Sequence, residues 1–225
     1  MNNKKNFKNT KTSITHGLWG SLLLSVWLGA STAQAYYTTN ESAEVIPENT
    51  YSLGLTPEIV LNGNTGANLG GLIDYSLSKE TSVRGFLGTG QTAFDAGGSF
   101  KWIPIPDYGK QPAAGGKIEL ETSTNNGNNQ TAIRFHPLVS KRVATEYGSV
   151  VPYASLPVSF INASGNSTTG LQVVGGAEYQ NPDYKKWNFS AELGINLNNA
   201  TSYISGLVSY NFDVPSDSSK KSSKP

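Results

Sequence analysis

Eleven charged side chains fall on one face of a series of alternating segments: Glu58, Asp74, Arg84, Asp95, Lys101, Lys117, Glu119, Glu121, Arg134, Glu178 and Glu192. Seven acids and four bases facing one enclosure can do one of two things. They can line a pore that favours cations, or they can pair into a network of salt bridges and hydrogen bonds that fills a narrow interior. A charge taken out of water must be paired or it costs heavily. Barrels of about eight strands are filled by side chains and ten strands is only slightly wider, so the paired network is the expected use and a conducting lumen is the alternative. His136 shares this face and is the one histidine after residue 35. It precedes Pro137 within a strand, and a hydrogen-bonding role in the lumen is expected of it. The chain has no cysteine, which removes a thiol nucleophile, a lipid-modified cysteine and any thiolate metal site, and one histidine makes a poor transition-metal site. The sequence therefore implies no catalytic set, no metal and no cofactor, and the chain reads as a non-enzyme.

The elements that carry these charges alternate with a period of two, as strands do. From Trp187 one face reads Trp187, Phe189, Ala191, Leu193, Ile195, Leu197, and the other Asn188, Ser190, Glu192, Gly194, Asn196. Comparable segments run back to Leu53, and together they give about ten strands, an even count suited to a single-chain bacterial barrel. The connections are of two kinds in alternation. Gly/Asn-rich turns lie at 62–66, 125–129 and 162–166, and charged turns at 78–80, 106–110, 141–147 and 182–186. Two kinds of turn at alternate strand ends fit two sides of a membrane. Pro-Asp-Tyr occurs in two of the charged turns, around Asp107 and Asp183, where Pro and Asp serve turn chemistry. The glycines at 85, 88, 90, 97–98, 115–116 and 175–176 are followed by no helix, so they form no phosphate loop and are expected to permit bulges and curvature.

The N-terminus has separate business. Lys4, Lys5, Lys8 and Lys11 precede an apolar run from Leu18 to Ala30, which ends at Ala33-Gln34-Ala35. A basic start, a short apolar core and an A-x-A site make a secretory signal peptide, with cleavage expected after Ala35 and the mature chain beginning at Tyr36. The run is shorter than the about 20 apolar residues of a spanning helix. Of the 17 Lys and Arg, four lie in the first 35 residues and none of the 16 Asp and Glu do, which leaves 13 bases against 16 acids and a net charge of −3. That is no footprint for nucleic-acid binding. The expected organisation is a signal peptide at 1–35, an irregular polar lead at 36–49, a barrel at 50–212 and a disordered tail at 213–225.

Alternation alone would also suit a soluble secreted β-sandwich or a lipocalin-like binding protein, with the apolar face inside. The number of charges on the polar face, and aromatic residues at strand ends (Trp102, Tyr179, Trp187, Tyr210, Phe212), favour an apolar face turned to lipid. The last strand places Val208, Tyr210 and Phe212 at alternate positions. In this it resembles the C-terminal assembly signal of small Gram-negative outer-membrane barrels, and with the signal peptide and strand count the resemblance covers residues 50–212. It departs in that 13 residues follow Phe212. The resemblance implies an antiparallel up-and-down transmembrane β-barrel, export by the general secretory pathway, insertion by the barrel assembly machinery, and residence in outer-membrane lipid. The expected role is structural or surface-interaction, with a narrow pore for small solutes or ions as the alternative.

Overall fold

The computed structural model describes residues 38–63, 65–125 and 128–213. The expected signal peptide, its cleavage site at Ala33, Ala35 and Tyr36, and all but the first residue of the expected tail lie outside them. Twelve strands form in order: β1 (Thr50–Val60), β2 (Gly66–Ser76), β3 (Thr81–Gly90), β4 (Phe94–Ile105), β5 (Ala113–Asn125), β6 (Asn128–Ser140), β7 (Val143–Thr145), β8 (Gly148–Ser155), β9 (Val158–Ala163), β10 (Asn166–Gln180), β11 (Trp187–Asn198) and β12 (Tyr203–Asp213). All pair antiparallel. The sheet closes because β12 pairs with β1, from Thr50↔Asp213 to Val60↔Tyr203. The barrel wall so closed has no free edge.

The wall has ten staves, because β8 and β9 are two halves of one. Both pair with β6 on one side and with β10 on the other. The interruption at Leu156-Pro157 sits across from His136-Pro137 in β6, since Leu138 pairs with Ser155 and Phe135 with Val158. Two prolines at one level remove two ladder donors, and the pairing lapses there. A register shift in β10 between Leu171 and Gln172 falls on the same level. β7 is a short hairpin partner of β8 below the wall proper.

Strand directions put the charged turns (77–80, 106–112, 141–147, 181–186) together at one end of the barrel, where β1 begins and β12 ends. The Gly/Asn turns gather at the far end. At that far end the connections are short, from two residues at 164–165 to five at 61–65, and Ser164 and Gly165 take positive φ of 50° and 84° to turn so tightly.

The alternation expected from the sequence is the alternation observed. In β1, Leu53, Leu55 and Ile59 face out while Ser52, Thr56 and Glu58 are buried. The outward apolar residues stay open, with Leu55 61%, Leu87 65% and Leu120 58% exposed. Aromatic rings ring the outside of the charged-turn end. Tyr51 stacks on Tyr75 at 4.5 Å, and Tyr210 meets Trp187 at 5.1 Å and Phe212 at 4.7 Å edge to face. Val208, Tyr210 and Phe212 all stand on the outer face of β12.

Candidate functional site

The twelve lumen residues expected from the sequence are all brought inside the barrel. Glu58, Arg84, Asp95, Lys101, Lys117, Glu119, Glu121, Arg134, His136, Glu178 and Glu192 are each buried, and Asp74 nearly so, with its side chain 13% exposed. Charged side chains enclosed and leucines exposed is the reverse of a water-soluble protein, and lipid is the solvent that asks for it. The chain is a transmembrane β-barrel. The soluble alternative, in which the apolar face would form an internal core, does not hold: that face points outward all round the closed sheet.

What the sequence did not reveal is the occupant of this lumen. The polar lead, read as an irregular segment preceding the barrel, is irregular but runs up into it. Thr39, Asn40, Glu41, Ser42 and Ala43 are 6% exposed or less. The correction has a physical cause: a segment of small polar residues has no periodicity, so a solvated lead and a plug look alike until wall residues offer it partners.

The wall offers many. Glu192 is the first anchor, taking the backbone N–H of Thr39 on one oxygen and that of Asn40 on the other, both at 2.7 Å. Tyr153 and Tyr203 donate their hydroxyls to the same carboxylate at 2.7 and 2.6 Å. Just after these two N–H groups the chain turns at Asn40, which adopts a left-handed φ of 35°, a conformation asparagine tolerates better than most residues. Its side chain donates to Thr56 Oγ1 at 2.7 Å and accepts from Ser190 Oγ at 3.2 Å. One turn nearer the charged end, Glu178 accepts the N–H of Ser42 at 2.6 Å.

Between these anchors Glu41 meets three cations. Lys101 Nζ lies 2.7 Å from its carboxylate, Lys117 Nζ 3.6 Å and Arg84 Nη1 3.7 Å. Arg84 is held in place by a bidentate pair with Asp74 at 2.6 and 3.0 Å, and donates to the carbonyl of Thr39 at 3.1 Å. Lys101 reaches the carbonyls of Ser42 and Glu44. Lys117 pairs with Glu119 at 3.1 Å, and Glu119 accepts from Arg134 at 2.7 Å. His136 Nδ1 is 3.2 Å from Thr39 Oγ1, the hydrogen-bonding role expected of it. Toward the far end Arg134 also pairs with Glu121, beside Asp95, and Asn68 donates to Glu58 at 2.7 Å. These contacts centre on Glu41, which no alternation argument could assign.

Little space remains. At the level of Asn40, Thr56, Arg84 and Glu119 a cavity of only about 10 Å³ is left, hardly room for one water. The wider cavity, about 290 Å³, opens at the charged end around Glu44, Ile46, Arg142, Lys185 and Trp187. There Arg142 pairs with Glu44 and donates to Gln180 at 2.8 Å. Outside the wall, Asp107 accepts from Lys141 Nζ and, at 2.7 Å, from the N–H of Arg142. Those two bonds, the lysine's first, hold its carboxyl below the usual aspartate value. Tyr108 and Tyr184 of the paired turns are exposed.

Two of the glycines expected to allow bulges, Gly97 and Gly176, do something more specific, and Gly194 does the same. Three large inward rings each lie over a glycine directly across the ladder: Phe86 over Gly97, Tyr153 over Gly176 and Tyr203 over Gly194. A Cβ on any of the three would overlap its ring.

No protein-family model and no curated protein sequence matches the chain. Among solved structures it is similar to the translocator domain of the autotransporter NalP from Neisseria meningitidis, at 12% identity over 88% of this chain and 95% of that one, with a TM-score of 0.48. It is similar also to a designed transmembrane β-barrel (13% identity, 74% and 98% coverage, TM-score 0.38) and to the attachment invasion locus protein Ail of Yersinia pestis (11%, 72% and 97%, TM-score 0.30).

Proposed function

We propose that this protein is a non-enzymatic resident of a Gram-negative outer membrane, exported with a cleaved signal peptide and shut by its own N-terminal segment. Its resting role is structural: a lipid-embedded stave wall with no through path. The observation that carries this reading is the seat of Glu41 among Lys101, Lys117 and Arg84, where a mouth of about 290 Å³ gives way to a cavity of about 10 Å³ at the level of Asn40, Thr56 and Glu119. Outer-membrane lipid meets the apolar belt, and the barrel assembly machinery is the partner during insertion, read from Val208, Tyr210 and Phe212 on the outer face of the closing strand. The charged-turn end, where β1 begins and β12 ends, faces the periplasm. The turns left for the cell surface are then the short Gly/Asn ones, which favours a structural role over a surface-interaction one.

Passage of small solutes is the second reading, and the lead is the observation that favours it. A plug that enters from one end, without being part of the wall, can leave. The test is conductance in planar bilayers, on protein first shown by heat-modifiable migration on a detergent gel to be folded. Wild-type protein is expected to be silent, and Glu41→Lys, which sets a fourth cation among three, to give discrete steps. Steady steps from the wild type would overturn the shut resting state.

A further inference from the structure

The contacts of the lead form a complete recognition set for a peptide, not merely a filling. Three backbone N–H groups (Thr39, Asn40, Ser42) end on two wall carboxylates, and carbonyls of Thr39, Ser42 and Glu44 end on two wall cations. One side-chain carboxylate sits among three bases. Ala43 fills a small apolar niche of Ile103, Ala113 and Leu138. Each wall group comes from a barrel strand, so the site is built by the wall and would persist if the lead withdrew. Glu192 would then keep Tyr153 and Tyr203 but lose two of its four donors, Glu178 would lose the N–H of Ser42, and Arg84, Lys101 and Lys117 would lack Glu41. Leaving such groups unpaired is costly, which gives the empty site a demand for the same chemistry: an acid flanked by backbone N–H donors.

We infer that the lumen is a binding site for a short acidic peptide with asparagine–glutamate at its turn, and that the lead is its tethered, exchangeable ligand. The inference rests on the reading that the lead is a separable plug. It assigns three selectivity features. The acid at position 41 is read by Arg84, Lys101 and Lys117. Asparagine at position 40 takes the left-handed turn that follows the two N–H groups, and its side chain bonds Thr56 and Ser190. A small residue at position 43 fits the niche of Ile103, Ala113 and Leu138. A small inorganic anion could satisfy the cations but not the two carboxylates.

The experiment uses the full mature chain with Glu41→Lys, folded in detergent micelles, and the nine-residue peptide Thr38–Ile46 labelled with fluorescein at its C-terminus, which would lie at the wide mouth. Trypsin cleavage after position 41 reads whether the lead has left the lumen. Anisotropy is expected to show saturable 1:1 binding to this variant and none to the wild type, whose site is filled. Peptides carrying Glu41→Gln or Asn40→Val are expected to bind at least tenfold more weakly, and 10 mM inorganic phosphate to leave the complex intact. Equal binding of the three peptides, displacement by phosphate, or a folded variant that trypsin does not cut would each overturn the inference. If Glu41→Lys gives no heat-shifted folded band, Glu41→Gln replaces it. There the wild-type peptide must bind at least tenfold better than to the wild-type barrel, and equal occupancy overturns the inference. Binding by a variant that conducts no ions would sink the pore reading alone and leave the peptide site standing.

Discussion

Glu192 shows how much one enclosed carboxylate can organise. Four donors reach it, two from the lead and two from the wall, Tyr203 on the adjacent β12 and Tyr153 on β8 two staves away. Hydrogen bonds to a charged group contribute about 1.5–3 kcal/mol each when lost singly. Glu192→Gln keeps the shape but turns one of the two acceptor oxygens into a donor facing donors. It disturbs two of the four bonds and is expected to lower unfolding stability by at least about 3 kcal/mol in a urea titration on vesicles, while Tyr153→Phe, which removes one donor, costs about 1.5 kcal/mol. Equal effects would mean that the carboxylate does not gather the lead. Asp107 makes a different residue-scale case, because it sits in water. Its folded-state carboxyl lies below the ordinary value of 3.8. The stabilisation it gives to the 106–112 and 141–147 turns is therefore fully present above that value and is lost as pH falls through the lowered one. Amide exchange at Arg142, corrected for intrinsic rate, should stay slow at pH 5 and become fast only in stronger acid. Asp107→Asn should make it fast at pH 5 as well, and an unchanged rate in that variant would sink the link.

At the scale of elements, the wall was legible and its interior furniture was not. Period-two alternation is set by the backbone, so residues 53–61 or 187–197 declare their two faces without any knowledge of neighbours. The two kinds of turn likewise declare two ends. Cross-strand partners are invisible in one sequence, because pairing depends on register. That is why Gly97 and Gly176 read as allowing bulges and curvature and Gly194 only as a member of the polar face, when the structure shows each as the floor under a ring on the adjacent strand. The broken stave was also hidden: Pro137 and Pro157 are 20 positions apart and meet only when β6 and β9 pair. The glycines give a sharp test. Gly97→Ala would drive its methyl into Phe86 and the carbonyl of Leu120, and overpacking of that kind costs about 1–3 kcal/mol. Gly175 lies in the same kind of strand but has no atom within 4 Å of where a Cβ would stand. Gly175→Ala is expected to be neutral or to stabilise by up to about 1 kcal/mol, through the unfolded chain. Thermal or urea unfolding of the two variants should differ in sign, and equal losses would argue that strand entropy, not ring packing, sets the cost.

For the molecule as a whole the decisive quantity is which solvent each face meets. The inner face pairs most of its charges among themselves and with the lead, Asp95 beside Glu121 excepted, so it contributes little that depends on the surroundings. The outer face has no partner in the chain: Leu55, Leu87, Leu120 and Phe160 are each more than half exposed. In water such a belt would drive association, whereas in lipid it is the favourable surface. Depth then becomes a measurable coordinate. Leu120 stands near the middle of β5, and Leu197 near the far rim at the end of β11. An arginine at the bilayer midplane costs about 2–4 kcal/mol and near the interface about 0–1 kcal/mol. Leu120→Arg is therefore expected to lose several-fold more unfolding free energy than Leu197→Arg when both are measured in lipid vesicles. The two residues are similarly exposed, at 58% and 45%, so burial within the protein predicts no such difference. A depth gradient would identify lipid as the solvent of this face. Equal, small losses would mean that the belt meets water or another protein surface, and the assignment of the apolar face to the membrane would fall with it.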